Sequence, residues 1–411
     1  MPQFLNLIPL NDAMQIYREN LAPIVPDTET VAAVDALNRV LAQHVISQET
    51  LPPFTRSAVD GYAVIAADTF GSSESLPAYL KIVGEVAMGK KPVFGIRRGE
   101  TAAIHTGGML PEGADAVVMI EDTQLSNESE VEILRAVAAG DNTIKKGEDV
   151  SPGDEVLPAG IYLRPADIAG LIALGLIEVK VNLRPRIGII SNGDEIVPPD
   201  EVPQMGQVRD INSYSLSVLV QKHGGLPLRY GIVSDTADVL EKTLRRAYEE
   251  CDAVIITAGS SASTRDVTAE VISRLGQPGV LVHGVRIRPG KPTILAVCDG
   301  KPIIGLPGNP VSALVISSLF VVPTIQYLLG VKVFRPVPTV SAVLSTNVPS
   351  QTGREDYVPV KLRKTEEGYV ADPIFFKSNM IFSLAKADGL MYVPADAAGL
   401  PPGEHLEIIL L

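Results

Sequence analysis

The chain has 411 residues, of which 46% are hydrophobic and 20% charged, and a formal net charge of −13. That is more than one ordinary core of about 100–150 residues, with the composition of a globular protein. The acidic balance argues against a nucleic-acid partner, which wants a basic face, and an anionic ligand must be held by local cations and N–H groups against the overall field. In chain order, residues 51–141 carry short strand candidates at 58–65, 78–86, 101–104, 116–120 and 130–134, separated by Gly, Pro and Ser turns, which is an all-β pattern. Residues 142–182 hold a turn-rich stretch and a compact helix over 165–174. Residues 183–330 look doubly wound. Strand candidates at 186–190, 229–233, 253–257, 293–297 and 302–306 alternate with helical patterns at 213–222, 237–249, 267–275 and 310–329. In the second of these helices Leu240, Leu244 and Ala247 fall on one face, with Glu241, Lys242, Arg245 and Arg246 outward. Such alternation implies a largely parallel sheet, with ligands outside the carboxyl ends of its strands. Residues 331–411 return to short strands, at 339–344, 356–360, 368–374, 390–393 and 405–410, which predicts a small β-barrel or sandwich.

No apolar run reaches the roughly 18 residues of a membrane span, and the N-terminus lacks the pattern of a secretory signal, so the expectation is a cytoplasmic protein with no membrane partner. Cys251 and Cys298 are the only cysteines and fall in or near apolar runs, so they read as buried thiols rather than a disulfide or zinc site. The five histidines show no metal-ligand spacing.

The richest stretch is 286–314. One loop carries the cations Arg288 and Lys291 on the stiff frame Pro289-Gly290-Pro292; a second, Pro307-Gly308-Asn309-Pro310, opens a long apolar helix. Proline suits a first helical turn, and the free N–H groups there, beside fixed cations, suit an anion. The competing reading is two ordinary strand-connecting turns. A third loop, 259–264, rich in glycine and hydroxyls (Gly259, Ser260, Ser261, Ser263), also leads into a helix and makes an oxyanion nest. Five acidic residues sit in turns: Asp60, Asp149, Glu195, Asp235 and Asp266. Glu195, Asp235 and Asp266 each follow a strand of the parallel sheet, so they can converge at its carboxyl edge. Carboxylates gathered near phosphates suit Mg²⁺; helix capping is the alternative for Asp235 and Asp266.

Together these motifs resemble the MoeA / gephyrin E-domain family of molybdopterin molybdenumtransferases. PPFTRSAVDGYAV (52–64) resembles its P-x-F-x-x-S-x-x-D-G-Y-A motif. HTGGMLPEGADAVVMIED (105–122) resembles its TG-x-x-x-P-x-G-x-x-AVV-x-x-E segment. IKKGEDVSPGDEVLPAG (144–160) resembles its GEDI segment, and PRIGIISNGDEI (185–196) its strand ending in STGDEL. IRPGKP (287–292) and GLPGNPVSA (305–313) resemble KPGKP and GLPGNPVS. The chain departs from the family at 258–263, where Ala258 and Ser263 stand for glycines, and at Arg288, which stands for lysine; the segment 264–268 is similar to the RDVT of the related adenylyltransferases.

The resemblance implies a multidomain α/β plus β protein. It has a doubly wound molybdopterin-binding α/β domain at 183–330, a helix near 10–20 within residues 1–27 packing on it, and a discontinuous α+β domain at 28–50 and 142–182. A β-rich insert takes 51–141 and a C-terminal β-barrel 331–411. It implies an elongated homodimer whose active cleft lies between subunits, and leaves room for other cofactor-synthesis proteins as partners. The implied reaction inserts molybdate into adenylylated molybdopterin and releases AMP. Arg288, Lys291 and the 260–263 loop would hold the molybdate dianion, and Pro307 and Pro310 would stiffen the pterin pocket. Asp235, Asp266 and Glu195, with Asp60 and Asp149, would serve Mg²⁺ at the pyrophosphate. A molybdopterin carrier without turnover and a molybdopterin adenylyltransferase are the competing functions.

Overall fold

The computed structural model describes residues 7–258 and 262–411, with side chains throughout except at 258 and 262–266. Contacts divide the chain into two units. One comprises Met1–Gln43, Ala159–Ile168 and Ile177–Leu411; the other comprises His44–Pro158 and Ala169–Leu176.

The first unit is built on a six-stranded sheet in the order Leu226–Val233, Arg186–Asn192, Ala253–Ala258, Lys301–Pro307, Ile294–Cys298, Pro278–His283. The first four strands are mutually parallel. The three inner ones read as nearly unbroken apolar runs because helices cover both faces, whereas Leu226–Val233 is an edge and partly exposed. Ile189 and Ile255 point into one core with Leu216, Val311, Ile316 and Phe320. Their neighbours Ile190 and Ile256 point into the other, with Leu240, Leu244, Ala247 and Ile272. The N-terminal helix Leu10–Asn20 contributes Leu10, Ala13 and Tyr17 to the first core.

Two features of this sheet differ from the sequence expectation. Ile294–Cys298 runs antiparallel to Lys301–Pro307, because they are joined by Asp299-Gly300 alone, with φ of 49° and 83°. A two-residue turn with both residues left-handed closes a hairpin and cannot carry a parallel crossover. The sixth strand, Pro278–His283, was not expected, because its opening Pro-Gly reads as a turn. Proline is tolerated at the first residue of an edge strand, where its missing N–H costs no ladder bond, and this strand is the edge.

The chain from Pro310 to Leu328 is a continuous helix with a wider-wound turn at Ser317–Val321, just ahead of Pro323. Such a turn accommodates a residue that lacks an N–H. The helix, 19 residues long with a mean hydropathy of 1.8 in its most apolar 18-residue stretch, is long and apolar enough to cross a membrane, which corrects the expectation that no segment would be. Val311, Ala313, Ile316, Phe320 and Ile325 are nonetheless fully buried in the α/β core, so the helix is its central support.

In the C-terminal region Glu355–Thr365, Gly368–Pro373, Thr339–Leu344, His405–Leu410 and Gly389–Val393 pair in that order. Gly389–Val393 then pairs back onto Glu355–Thr365. The sheet is thus a closed barrel, which removes free edges; Val360, Ala371, Met391, Val393 and Ile408 fill it. A two-residue strand from the α/β side, Ile287–Arg288, runs parallel to the start of Glu355–Thr365 and sets Arg288 opposite Asp356.

The second unit centres on a six-stranded sheet in the order Ala116–Met119, Gly61–Val64, Glu100–Ile104, Ala78–Glu85, Glu130–Ile133, Thr123–Asn127. The last strand was not expected: TQLSN is an exposed edge and lacks an alternating apolar face. Gly61 is required where it stands, since a Cβ would lie 1.9 Å from the Val118 carbonyl oxygen.

Candidate functional site

The strand order places the point where chain connections reverse between Arg186–Asn192 and Ala253–Ala258, the usual ligand crevice of such sheets. The loops after Arg186–Asn192 and its neighbour Leu226–Val233 bring Asp194, Glu195 and Asp235 together. The Asp235 N–H donates to Asp194 Oδ1 (3.2 Å), and Asn192 Nδ2 donates to Asp235 Oδ1 (2.8 Å). Burial, then the charges of Asp194 and Glu195, hold the Asp235 carboxyl above the usual carboxylate range. Beside them the buried Asp210 caps the helix Asn212–Lys222 through the Ser213 N–H (3.1 Å) and accepts from Ser191 Oγ (2.9 Å). This fixes Asn212, whose Nδ2 donates to the Gly308 carbonyl (2.7 Å) and so ties the crevice to the Pro307-Gly308-Asn309-Pro310 loop.

Farther along the same edge is a cleft of about 680 Å³. Arg288 and Lys291 line one wall, Pro307, Gly308, Asn309 and Ser312 another, and Arg354, Lys377 and Ser378 a third; Arg286 is also at its margin. Among the described residues it is lined by five cations and by no carboxylate. The Arg288–Lys291 loop is stiff. The Val285 N–H donates to the Lys291 carbonyl (2.9 Å) and Thr293 Oγ1 to that of Gly290 (2.7 Å). Gly290 has φ 120°, and a Cβ there would lie 2.3 Å from Ile316, so the loop is seated directly on the central helix. At the head of that helix Asn309 Nδ2 donates to Ser378 Oγ (2.9 Å) and the Val311 N–H to the Ser378 carbonyl (3.1 Å). Pro310 is buried in its first turn.

The structure thus brings together Arg288, Lys291, Pro307, Gly308 and Asn309 in one cleft, and Glu195 and Asp235 at another point of the edge. Asp60 and Asp149 belong to the second unit. Asp60 is exposed and accepts from the Thr106 N–H (2.7 Å) and Oγ1 (3.1 Å); the first of these, foremost, pulls its carboxyl below the usual range, with His105 3.7 Å away. Asp149 is exposed on a turn whose N–H donates to the Leu51 carbonyl (3.0 Å). Gly259, Ser260, Ser261 and the side chains of Ser263 and Asp266 lie outside the described residues. No group of three His, Cys, Asp or Glu stands in metal-holding geometry among the described residues. Cys251 and Cys298 are both buried, and burial pushes the Cys298 thiol up to about 11.

Sequence reasoning missed Asp194, Arg286, Ser312, Arg354, Lys377 and Ser378. One signal was present: Thr352-Gly353-Arg354 repeats, just before a strand, the glycine-then-cation turn of Gly290-Lys291. Nothing local could have shown that the two turns meet.

Residues 8–175 match the MoeA N-terminal region (domain I and II), residues 188–327 the probable molybdopterin binding domain, and residues 341–411 the MoeA C-terminal region (domain IV). The chain is 37% identical, over 99% of its length and 98% of the other's, to a Methanocaldococcus jannaschii protein named for molybdopterin biosynthesis. It is 34% identical to the molybdopterin molybdenumtransferase of a Nostoc species, covering 99% of this chain and 91% of that one. A crystal structure of the molybdopterin biosynthesis MoeA protein of Pyrococcus horikoshii superposes with a TM-score of 0.84 at 33% identity, covering 99% of this chain and 100% of that one.

Proposed function

Since this chain belongs to the MoeA family and, as a molybdopterin molybdenumtransferase, acts in molybdenum cofactor biosynthesis, we propose that it inserts molybdate into adenylylated molybdopterin and releases AMP. The observation that carries the proposal is the cleft with five cations and no carboxylate among its described lining, on a chain of net charge −13. A tetrahedral dianion is held there by charge-assisted hydrogen bonds from Arg288, Lys291 and Arg354, helped by the head of the central helix. The sulfurs of molybdopterin carry out the ligand exchange; the protein positions the two substrates.

The same reading puts Mg²⁺ at the acidic end of the edge. Asp235 is raised by burial and by Asp194 and Glu195, a concentration of negative charge that a hard divalent cation relieves. Asp235 and Glu195, with Asp266, would hold it, and when bound it supplies charge neutralisation at the pyrophosphate. Asn192 keeps one Asp235 oxygen oriented through its hydrogen bond. The strand of Asn192 and the strand beginning at Ile294, which leads from the cation loop, are three places apart in the sheet. At about 4.8 Å per strand that is roughly 15 Å, a span that suits an elongated substrate with anionic groups at separate points. Asp60 and Asp149 complete the proposed set. The same reading makes the protein a cytoplasmic homodimer, divided into a helix at 1–27, a domain at 28–50 and 142–182, an insert at 51–141, an α/β domain at 183–330 and a barrel at 331–411.

The test is to add molybdate to the protein with adenylylated molybdopterin and Mg²⁺ and measure AMP. Release that requires molybdate supports the transferase reaction. Binding without release makes the protein a carrier, and consumption of ATP with free molybdopterin makes it an adenylyltransferase.

A further inference from the structure

Two guanidinium groups on the wall of the cation cleft share one buried carboxylate. Asp356 is 2% exposed and does not itself line the cleft. Arg354 grips it with two parallel bonds, Nε to Oδ1 at 2.8 Å and Nη2 to Oδ2 at 3.2 Å. A third bond, Arg354 Nη1 to Gln351 Oε1 at 3.3 Å, fixes the plane of the fork. Arg288 comes from the other side, on the two-residue strand that sets it opposite Asp356, and its Nη1 stops 3.7 Å from Oδ2. That is an ion pair but not a hydrogen bond, and the Arg288 side chain is half exposed.

The two arginines are therefore held differently by the same anion. Arg354, which lines the cleft, is locked by three of its five N–H groups, and two are left over. Arg288 is attracted but not committed, so it can turn its donors to a ligand without breaking a bond. One carboxylate against two guanidinium groups leaves the cluster with a net positive charge, and the carboxylate is buried outside the cleft lining.

We propose that Asp356 is a positioning residue for the oxyanion substrate: it sets the orientation of Arg354 and the resting place of Arg288, and thereby the affinity of the cleft for a tetrahedral dianion. The proposal rests on the cleft being the molybdate site. An asparagine at 356 presents one acceptor and one donor to the Arg354 fork, so one of the two parallel bonds becomes donor facing donor.

The test titrates the full chain with sodium molybdate by calorimetry, beside AMP release in the presence of adenylylated molybdopterin. Asp356→Asn is expected to raise the molybdate dissociation constant about tenfold or more, the factor that roughly 1.4 kcal/mol represents. The rate of AMP release at saturating molybdate should stay within about twofold of wild type, as for loss of uniform binding. Asp356→Glu, which keeps the charge, should fall between the two. Asp388→Asn is the structural control: it breaks the bonds from Lys361 (2.6 Å) and the Leu362 N–H (2.8 Å) elsewhere on the barrel. It should lower Tm and leave molybdate affinity unchanged. If Asp356→Asn binds molybdate like wild type while Lys291→Ala does not, the positioning role is overturned and the cleft assignment stands. If both variants bind like wild type, the cleft is not the molybdate site and the proposal falls with it. Should Asp356→Asn fail to fold, Asp356→Glu carries the test, and unchanged affinity in that variant overturns the proposal.

Discussion

Lys291 contributes charge to the cleft and little to the fold. Its ammonium makes no hydrogen bond or ion pair among the described residues; only its backbone carbonyl is engaged, by the Val285 N–H. Removing one charge-assisted contact to a ligand costs about 1.5–3 kcal/mol, while deleting an unpaired exposed side chain leaves stability nearly unchanged. Lys291→Ala should therefore raise the molybdate concentration needed for half-maximal AMP release by roughly tenfold to a hundredfold, with Tm and pterin affinity as in wild type. Loss of pterin affinity instead would assign the loop to the other substrate. Asp167 is the opposite case, a residue of stability. Its carboxylate is 6% exposed and accepts from Arg164 Nη2 (2.9 Å), Nε (3.0 Å) and N–H (2.8 Å), with Arg335 at 3.3 Å. The Arg164 side chain above all pulls it below the usual carboxylate range. A carboxyl with a depressed folded pKa contributes stability that is complete above its unfolded value, about 3.9, and is lost as pH falls through the folded one. Asp167→Asn should cost about 1–3 kcal/mol at neutral pH. Denaturant titrations at a series of pH values should show that gap constant above pH about 5 and closing below 4; a gap that widens in acid would contradict the assignment.

At the scale of elements, the cation loop depends on one residue without a side chain. Gly290 combines a positive φ with a Cβ position 2.3 Å from Ile316. Gly290→Ala must therefore bear backbone strain and also push the loop off the central helix, together about 2–4 kcal/mol, and Arg288 and Lys291 move with it. Gly403 is the comparison: φ is 86° but nothing lies within 4 Å, so Gly403→Ala should cost only the strain. Thermal melts and molybdate titrations of both variants check this: a molybdate affinity reduced equally in both would show that seating on the helix is irrelevant. The motif around Gly290 was legible because glycine and proline mark turns directly. The buried strand Arg186–Asn192 and the helix Ala237–Glu250 were legible from apolar runs and 3–4 spacing. Two of the edge strands were not. Pro278–His283 opens on two turn residues, and Thr123–Asn127 is exposed and polar, so neither carries a pattern that burial would impose.

On the whole-molecule scale the cleft was half legible for a similar reason. Arg288, Lys291 and the Pro307–Pro310 loop are near one another in sequence. Arg354 reaches them through the two-residue pairing of Ile287–Arg288 with the barrel, too short to show any periodicity, and Lys377 and Ser378 through the bonds of Asn309 and the Val311 N–H to Ser378. The proposed homodimer belongs to this scale as well. Within the first unit the Ala33 N–H donates to the Ile177 carbonyl (2.8 Å). Val34 and Leu37 follow shortly after Ala33 in the chain, and they and Ile177 are 70%, 45% and 71% exposed. Single exposed apolar residues need no explanation, but in a two-fold interface each appears twice, so a group of three supplies six side chains around the axis. We expect sedimentation at micromolar concentration to show a dimer. Ile177→Asp should shift it toward monomer with little change in the Tm of the isolated subunit, because that residue is mostly exposed in its own fold. A wild-type monomer that still turns over would overturn the homodimer, and a dimer indifferent to Ile177→Asp would place its interface elsewhere.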